Sequence, residues 1–189
     1  MTPGASAAVV GAGQFGLWIT QGLRVAGAER IIVVEPRADR RAIALTLGAT
    51  HVVDPAEGDP VEQVRALTAG RGVDYGFEAA GPPSAVVEAF TMTRNAGTVV
   101  VGGVVSKDDQ VTFPAMMLAV RGRSVHSVQN GNLRMSRDLA AFARMMDAGL
   151  VDPEPLVTGR YALADIDDAV EASSGGRDLT GVVVPGAVG

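Results

Sequence analysis

The sequence predicts an α/β fold, an open, doubly wound parallel sheet with a small α/β extension at its C-terminal end. Three observations carry that expectation. Short β-branched runs alternate with longer amphipathic stretches, the pattern of a parallel sheet covered by helices. The run 31–34 is apolar at every position, as expected of a strand buried on both faces. Glycine supplies 24 of 189 residues, well above the usual ~7%, so tight turns and close backbone approaches are expected.

Taken in order, residues 7–10 form a short strand that runs into Gly11-Ala12-Gly13-Gln14-Phe15-Gly16. A helix follows over 14–26, with Phe15, Trp18, Ile19 and Leu23 on one face, and Gly27 stops it. After strand 31–34 come a helix over 40–47 ended by Gly48 and a short strand at 51–53. A helix over 60–69 carries Pro60 in its first turn, where the missing N–H costs nothing. Strand 73–79 contains Gly76, a sign of close backbone approach. A helix from Pro82 or Pro83 to residue 92 leads to strand 97–101, which ends at Gly102-Gly103. Beyond it, 111–113, 114–120 and 124–128 read as strand, short helix and strand, with no full crossover helix between them. An amphipathic helix over 136–149 and a connector marked by Pro153 and Pro155 follow. Strand 156–161, helix 165–173 and strand 181–184 complete the pattern. The chain divides near Gly131 into a sheet domain, 1–131, and an extension, 132–189.

Composition excludes several classes. With 47% hydrophobic and 20% charged residues the chain is globular. It has no cysteine, hence no disulfide, thiol nucleophile, iron–sulfur cluster or cysteine-based zinc site. Only His51 and His126 offer imidazole, so zinc is not expected to be bound by these residues. The net charge of −5 argues against nucleic acid or an anionic membrane as partner, but leaves room for a local basic patch. No apolar run reaches the ~18 residues of a membrane span and no leader opens the chain, so a cytoplasmic protein is expected.

The G-x-G-x-x-G run sits between a strand and a helix, the context its mechanism requires. Gly11 would make the tight turn, Gly13 would admit a pyrophosphate, and Gly16 would let the helix approach the strand. The free N–H groups at the helix start would then hold phosphate. Glu35 closes the second strand nineteen residues after Gly16, where an acidic side chain accepts both hydroxyls of an adenosine ribose. A carboxylate there repels a 2′-phosphate and favours NAD(H). Arg37, Arg40 and Arg41 lie close by and leave NADP(H) open. A methyltransferase that uses S-adenosylmethionine shares the loop and the clamp. It usually carries an acidic residue just before the glycines, where Ala7, Ala8, Val9 and Val10 stand here.

The run AAVVGAGQFGLWITQGLRVAGAERIIVVEPRADRRAIALTLGATHVVDP resembles the coenzyme domain of the medium-chain, zinc-type alcohol dehydrogenase family. The likeness continues through GVDYGFEAAG, GTVVVGG, MMLAVRGRSVHSVQNG and YALADIDDAVEASSGGRDLTGVVV, essentially the whole chain. The resemblance implies a Rossmann fold in which Gly11, Gly13, Gln14, Phe15 and Gly16 wrap the pyrophosphate. It gives Glu35 and Arg40 to the adenosine ribose, and Ala79 and Ala80 to the adenine and nicotinamide side of the crevice. Val101, Gly102 and Gly103 would lie along the nicotinamide ribose, and Val128 and Asn130 would bind the carboxamide. Thr180 stands where a phosphate-binding arginine is common. The family's zinc-bearing catalytic half has no counterpart in these residues, so a separate catalytic chain is one implied partner. Pairing of sheet edges into a homodimer is another.

The parent reaction implied is hydride transfer between a nicotinamide and an alcohol, aldehyde or ketone. The chain alone is expected to be inactive. A stand-alone dinucleotide-binding module that senses or scaffolds is the alternative. Asp165, Asp167 and Asp168 read as a helix cap rather than a carboxylate site, and His51 and His126 as structural. The substrate is not legible in these residues.

Overall fold

The computed structural model describes residues 1–103, 106–128, 131 and 133–186. Strands β1 (Ser6–Val10), β2 (Arg30–Val34), β3 (His51–Val53), β4 (Val73–Glu78), β5 (Thr93–Val101) and β6 (Ser124–Ser127) form one six-stranded sheet. Its order is β3-β2-β1-β4-β5-β6, and every pairing is parallel. The chain moves outward from β1 to β3, then returns across the sheet to β4 on the other side of β1. Connections therefore leave β1 and β4 toward opposite faces, and a crevice opens between them at the strands' C-terminal ends.

Alternation along β1 sets the two faces. Ala7 and Val9 join Ile31 and Val33 under α1 (Gln14–Val25) and α2 (Ala38–Thr46), where Leu17, Leu23 and Ala44 complete a cluster. Ala8 and Val10 join Ile32 and Val34 under α3 (Pro60–Ala66) and α4 (Pro83–Met92), with Val64, Ala89, Phe90 and Met92. Leu17, Ile32, Val33 and Val64 are wholly buried, each stabilising the fold by about 1.5–3 kcal/mol. The close approach expected at Gly76 is present. A Cβ there would overlap the Ala89 carbonyl oxygen and the Thr93 hydroxyl, so α4 rests directly on the sheet.

The expected strand at 111–113 does not form. The Phe113 ring stacks on Phe90 at 4.3 Å between centroids, which turns this segment inward as a plug. The adjacent edge of β5 is taken by β6 instead. Strand β5 is longer than expected because it starts at Thr93, with a register shift opposite Val73 and Tyr75.

Helix α5 (Ala115–Ala119) precedes β6, and the C-terminal part contains α6 (Met135–Asp147), α7 (Ile166–Ser174) and a two-stranded parallel sheet of β7 (Val157–Ala162) and β8 (Thr180–Val184). It is fastened to α1. Gln21 donates to the Asp152 carbonyl at 3.0 Å and accepts from the Asp152 N–H at 2.6 Å. Arg24 donates to the Leu150 carbonyl at 2.6 Å, and Leu156 enters the core beneath α1. Trp18 meets Phe142 edge-on, 5.3 Å between ring centroids. Asp165 holds the N-cap position of α7 but makes no capping bond, contrary to the expected cap. Asp167 and Asp168 stand in the first turn, where they complement the helix dipole. Among the described residues no helix is long and apolar enough to cross a membrane.

Candidate functional site

The crevice between β1 and β4 is built from strand ends. Gly11 follows β1, adopts φ +98° and donates its N–H to the Val34 carbonyl at 2.8 Å. A Cβ at Gly11 would press on Ala80 at 2.9 Å, so the β1–α1 turn lies directly against the β4–α4 turn. A Cβ at Gly16 would fall on the Gly11 carbonyl oxygen, which is why α1 can start this close to the sheet. Gly13 differs from both: nothing lies within 4 Å of where its Cβ would be. It occupies the N-cap of α1 without any side-chain cap. Among the described residues the N–H groups of Gln14, Phe15 and Gly16 have no acceptor, and the first helical bond runs from Leu17 to Gly13. Open space in front of unpaired N–H groups at a helix N-terminus fits a phosphate group.

Glu35 is buried, and both its oxygens are engaged. One accepts the Ala12 N–H at 2.8 Å and the other the Arg37 N–H at 3.0 Å. A carboxylate has about four lone-pair positions, so roughly two remain for a ligand. The three arginines beside it divide in function. Arg37 makes a two-pronged pair with Asp39, and that bonding holds the Asp39 carboxyl down to about 2. Arg41 pairs with Asp54 at 2.8 Å and also donates to the carbonyls of Glu35 and Pro36. Arg40 makes one long bond, 3.3 Å to the Gly176 carbonyl, and faces the cleft.

Of the residues expected to form the site, Gly11, Gly13, Glu35, Arg40, Ala79 and Ala80 line one cleft of about 360 Å³. Gln14, Phe15 and Gly16 form the adjoining helix start. The Phe15 side chain covers Gly102, where a Cβ would meet the ring at 2.6 Å and Val128 at 3.2 Å. Val101 ends β5 and Gly102 and Gly103 follow it, while Val128 follows β6 and donates its N–H to the Val101 carbonyl at 3.1 Å; none of these four lines that cleft. Asn130 lies outside the described residues. Thr180 begins β8, its hydroxyl buried without a partner among the described residues. His51 bonds Thr50 at the β3 edge, and His126 is exposed on β6.

Two contributors were not singled out from the sequence. Glu88 lines the cleft, and burial, followed by the charge of Asp59, raises its carboxyl above the usual range. Glu78 ends β4 wholly buried and collects three backbone N–H groups: Ala80 at 2.8 Å, Gly81 at 2.6 Å and Gly103 at 2.9 Å. It ties the turn after β4 to the turn after β5. The available signal was an acidic residue at the C-terminal end of a strand, a position like that of Glu35.

For zinc the residues do not fit. The chain has no cysteine, and among the described residues no group of three or more His, Asp or Glu is arranged to hold a metal ion.

A family model described as zinc-binding dehydrogenase matches residues 15–148. Geraniol dehydrogenase from Castellaniella defragrans is 36% identical over 185 residues, 96% of this chain and 48% of its own length. Among solved structures, an alcohol dehydrogenase zinc-binding domain protein from Burkholderia ambifaria superposes with a TM-score of 0.91 at 30% identity, covering 96% of this chain and 49% of that one. Benzyl alcohol dehydrogenase from Acinetobacter calcoaceticus gives 0.91 at 27% identity, with 96% and 50% covered. The chain spans about half the length of these proteins. It belongs to the zinc-binding dehydrogenase family and corresponds to the dinucleotide-binding half of that family's fold.

Proposed function

We propose that the chain binds NAD(H) in the β1–β4 crevice, as the coenzyme part of an oxidoreductase acting on an alcohol, aldehyde or ketone. The carrying observation is the open space at Gly13 before the uncapped start of α1, beside a buried Glu35. Bound there, the coenzyme would supply or accept the hydride. The chain's own residues bind and orient: helix N–H groups at the phosphates, Glu35 and Arg40 at the adenosine ribose, Ala79 and Ala80 along the crevice. Val101, Gly102, Gly103, Val128 and Asn130 are assigned to the nicotinamide side. Groups that polarise the substrate are assigned to polypeptide other than the described residues, and residues 132–189 to a separate extension.

Glu35 favours NAD(H) over NADP(H), because its backbone bonds restrain the carboxylate from turning away from a 2′-phosphate. Two unit charges 4 Å apart repel by about 4 kcal/mol near a protein surface. Even half of that gives a preference of roughly 30-fold. Titration of the chain with NADH and NADPH by calorimetry tests this, and tighter binding of NADPH overturns the role of Glu35. The open edge at β6, exposed along Ser124–Ser127, supports pairing of two copies into one sheet. Sedimentation as a monomer at micromolar concentration would contradict it. A cytoplasmic setting accords with a chain that has no cysteine to oxidise.

A further inference from the structure

Five arginines converge at the opposite pole of the sheet from the crevice. Arg65 stands in the last turn of α3, Arg71 precedes β4, Arg94 is the second residue of β5, and Arg121 and Arg123 lead into β6. With Asn95 they line an open pocket of about 660 Å³. Four of them lie at strand N-termini and Arg65 at the C-terminal end of α3, whereas the crevice lies at the strand C-termini. Strands of this length, at ~3.3 Å per residue, keep the two about 15–20 Å apart.

The charges around this pocket do not balance. Arg65 pairs with Glu62 at 3.0 Å, while Arg94 at 2.5 Å and Arg71 at 3.7 Å share Asp74. Arg121 and Arg123 have no carboxylate partner among the described residues, so five positive charges face two negative ones. Arg123 carries the strain. It is only 6% exposed, its guanidinium carbon lies 4.9 Å from the Phe90 ring centroid, and its Nε–H reaches the Arg94 carbonyl at a long 3.4 Å. One terminal nitrogen is sealed from solvent and has no acceptor among the described residues. Burial, followed by the charges of Arg121 and Arg65, pushes Arg123 below the ordinary arginine value. The other buried charges among the described residues are satisfied: Glu35 and Glu78 by backbone N–H groups, Asp178 by Tyr161. Arg123 is the buried charge without a counter-charge among the described residues, and because it lines the open pocket, an anion held there would offset it.

We propose that this pocket binds a multiply charged oxyanion of the phosphate class, with Arg121 and Arg123 as its principal partners and Arg71, Arg94 and Asn95 around it. Guanidinium groups present planar pairs of donors that match phosphate oxygens. The surplus positive charge suits a dianion better than chloride or a single carboxylate. The site is separate from the coenzyme crevice, so it stands or falls independently of dinucleotide binding.

The test is a two-dimensional amide NMR titration of the 15N-labelled chain with inorganic phosphate, at fixed ionic strength, with chloride as control. Saturable shifts are expected at the backbone of residues 94–95 and 121–123 and at the arginine Nε–H groups. Arg121→Gln is at an exposed position and should fold normally. It and Arg123→Gln should each weaken binding by roughly tenfold, the size of one charge-assisted hydrogen bond. A parallel titration with glycerol 3-phosphate separates the two sources of this chemistry. Equal or tighter binding identifies a phosphorylated metabolite, and much weaker binding identifies free phosphate. Shifts that never saturate and match those of chloride overturn the proposal. So do shifts confined to residues 13–16, or an unchanged affinity in Arg121→Gln.

Discussion

Replacing Glu78 by glutamine should destabilise the chain although the two side chains have the same shape. In the parent, one carboxylate oxygen accepts from Ala80 and Gly81, and the other accepts from Gly103. Glutamine keeps the first arrangement if its carbonyl takes that position. Its amide group then faces the Gly103 N–H, donor against donor, in a site with no solvent access. One charge-assisted bond is lost, worth ~1.5–3 kcal/mol, and a buried donor is left unpaired at ~1–3 kcal/mol. Relief of the buried charge offsets part of this, leaving a net loss of about 3 kcal/mol. For a domain of this size that lowers Tm by about 6–12 °C. Urea unfolding followed by circular dichroism should show the midpoint falling at constant slope. NADH affinity should fall with it, because the displaced turn carries Ala79 and Ala80. Gly103→Ala should be non-additive with Glu78→Gln, since a Cβ at Gly103 would sit 2.6 Å from both carboxylate oxygens. Glu78→Gln within about 0.5 kcal/mol of the parent, the range of an ordinary surface change, would refute the reasoning.

Gly13 and Gly16 should respond oppositely to the same substitution. Gly13→Ala has open space and an ordinary φ of −71°, so stability should stay within about 1 kcal/mol while NADH affinity, measured by calorimetry, drops at least tenfold. Gly16→Ala should cost about 3 kcal/mol in urea unfolding, because its Cβ collides with the Gly11 carbonyl. For Asp74, burial works against ionisation, but bonds from the Ser6 N–H, the Arg94 guanidinium and the Ser6 hydroxyl prevail and bring its carboxyl to about 2 from 3.8. A depressed carboxylate stabilises the fold above its unfolded value and loses that contribution as pH falls from 3.8 through about 2. The shift corresponds to at most ~2.4 kcal/mol, and about 1–2 kcal/mol after allowance for solvent screening. Asp74→Asn should therefore flatten the acid limb of a stability-versus-pH curve below pH 4, and an unchanged limb would remove Asp74 from the account.

The sheet was legible because each apolar run faces helices on both sides, so Ala7 and Val9 serve one cluster and Ala8 and Val10 the other. The glycine loop was legible because each glycine meets a separate geometric demand. The strand expected at 111–113 failed because alternation in Val111-Thr112-Phe113 records only that one residue is buried, and Phe113 satisfies that by stacking on Phe90. Nor does periodicity say what covers an apolar face. The pattern of α6 is amphipathic, yet Leu139, Phe142 and Met146 remain exposed. Glu35 was found by its spacing from the glycines. Its second task, fixing the Ala12 N–H, leaves no trace in spacing. Glu78 escaped notice because its partners are backbone groups, which carry no side-chain signature. The convergence of Arg65, Arg94 and Arg123 depends on which strands are neighbours, and sequence order alone does not reveal that β5 lies between β4 and β6.

The two buried glutamates explain how a loop so rich in glycine can hold a fixed shape. Strands β2 and β4 flank β1, and a carboxylate turned back on backbone N–H groups stands at the end of each, Glu35 just past β2 and Glu78 last in β4. From the β2 side Glu35 holds the Ala12 N–H, between Gly11 and Gly13. From the β4 side Glu78 holds the turn at Ala80 and Gly81, and Gly11 is packed against that turn. The loop is thus gripped at both margins by charge-assisted bonds, while its centre at Gly13 stays empty. The same grip restrains both carboxylates, because each would lose backbone bonds on swinging toward solvent. A negative group entering near Glu35 then meets a charge that cannot readily yield, whereas one entering at Gly13 meets free N–H groups. On the proposed reading, phosphate would be directed to the helix start and neutral hydroxyls to the end of β2. The discrimination would then follow from what holds the loop in place, not from an additional recognition element.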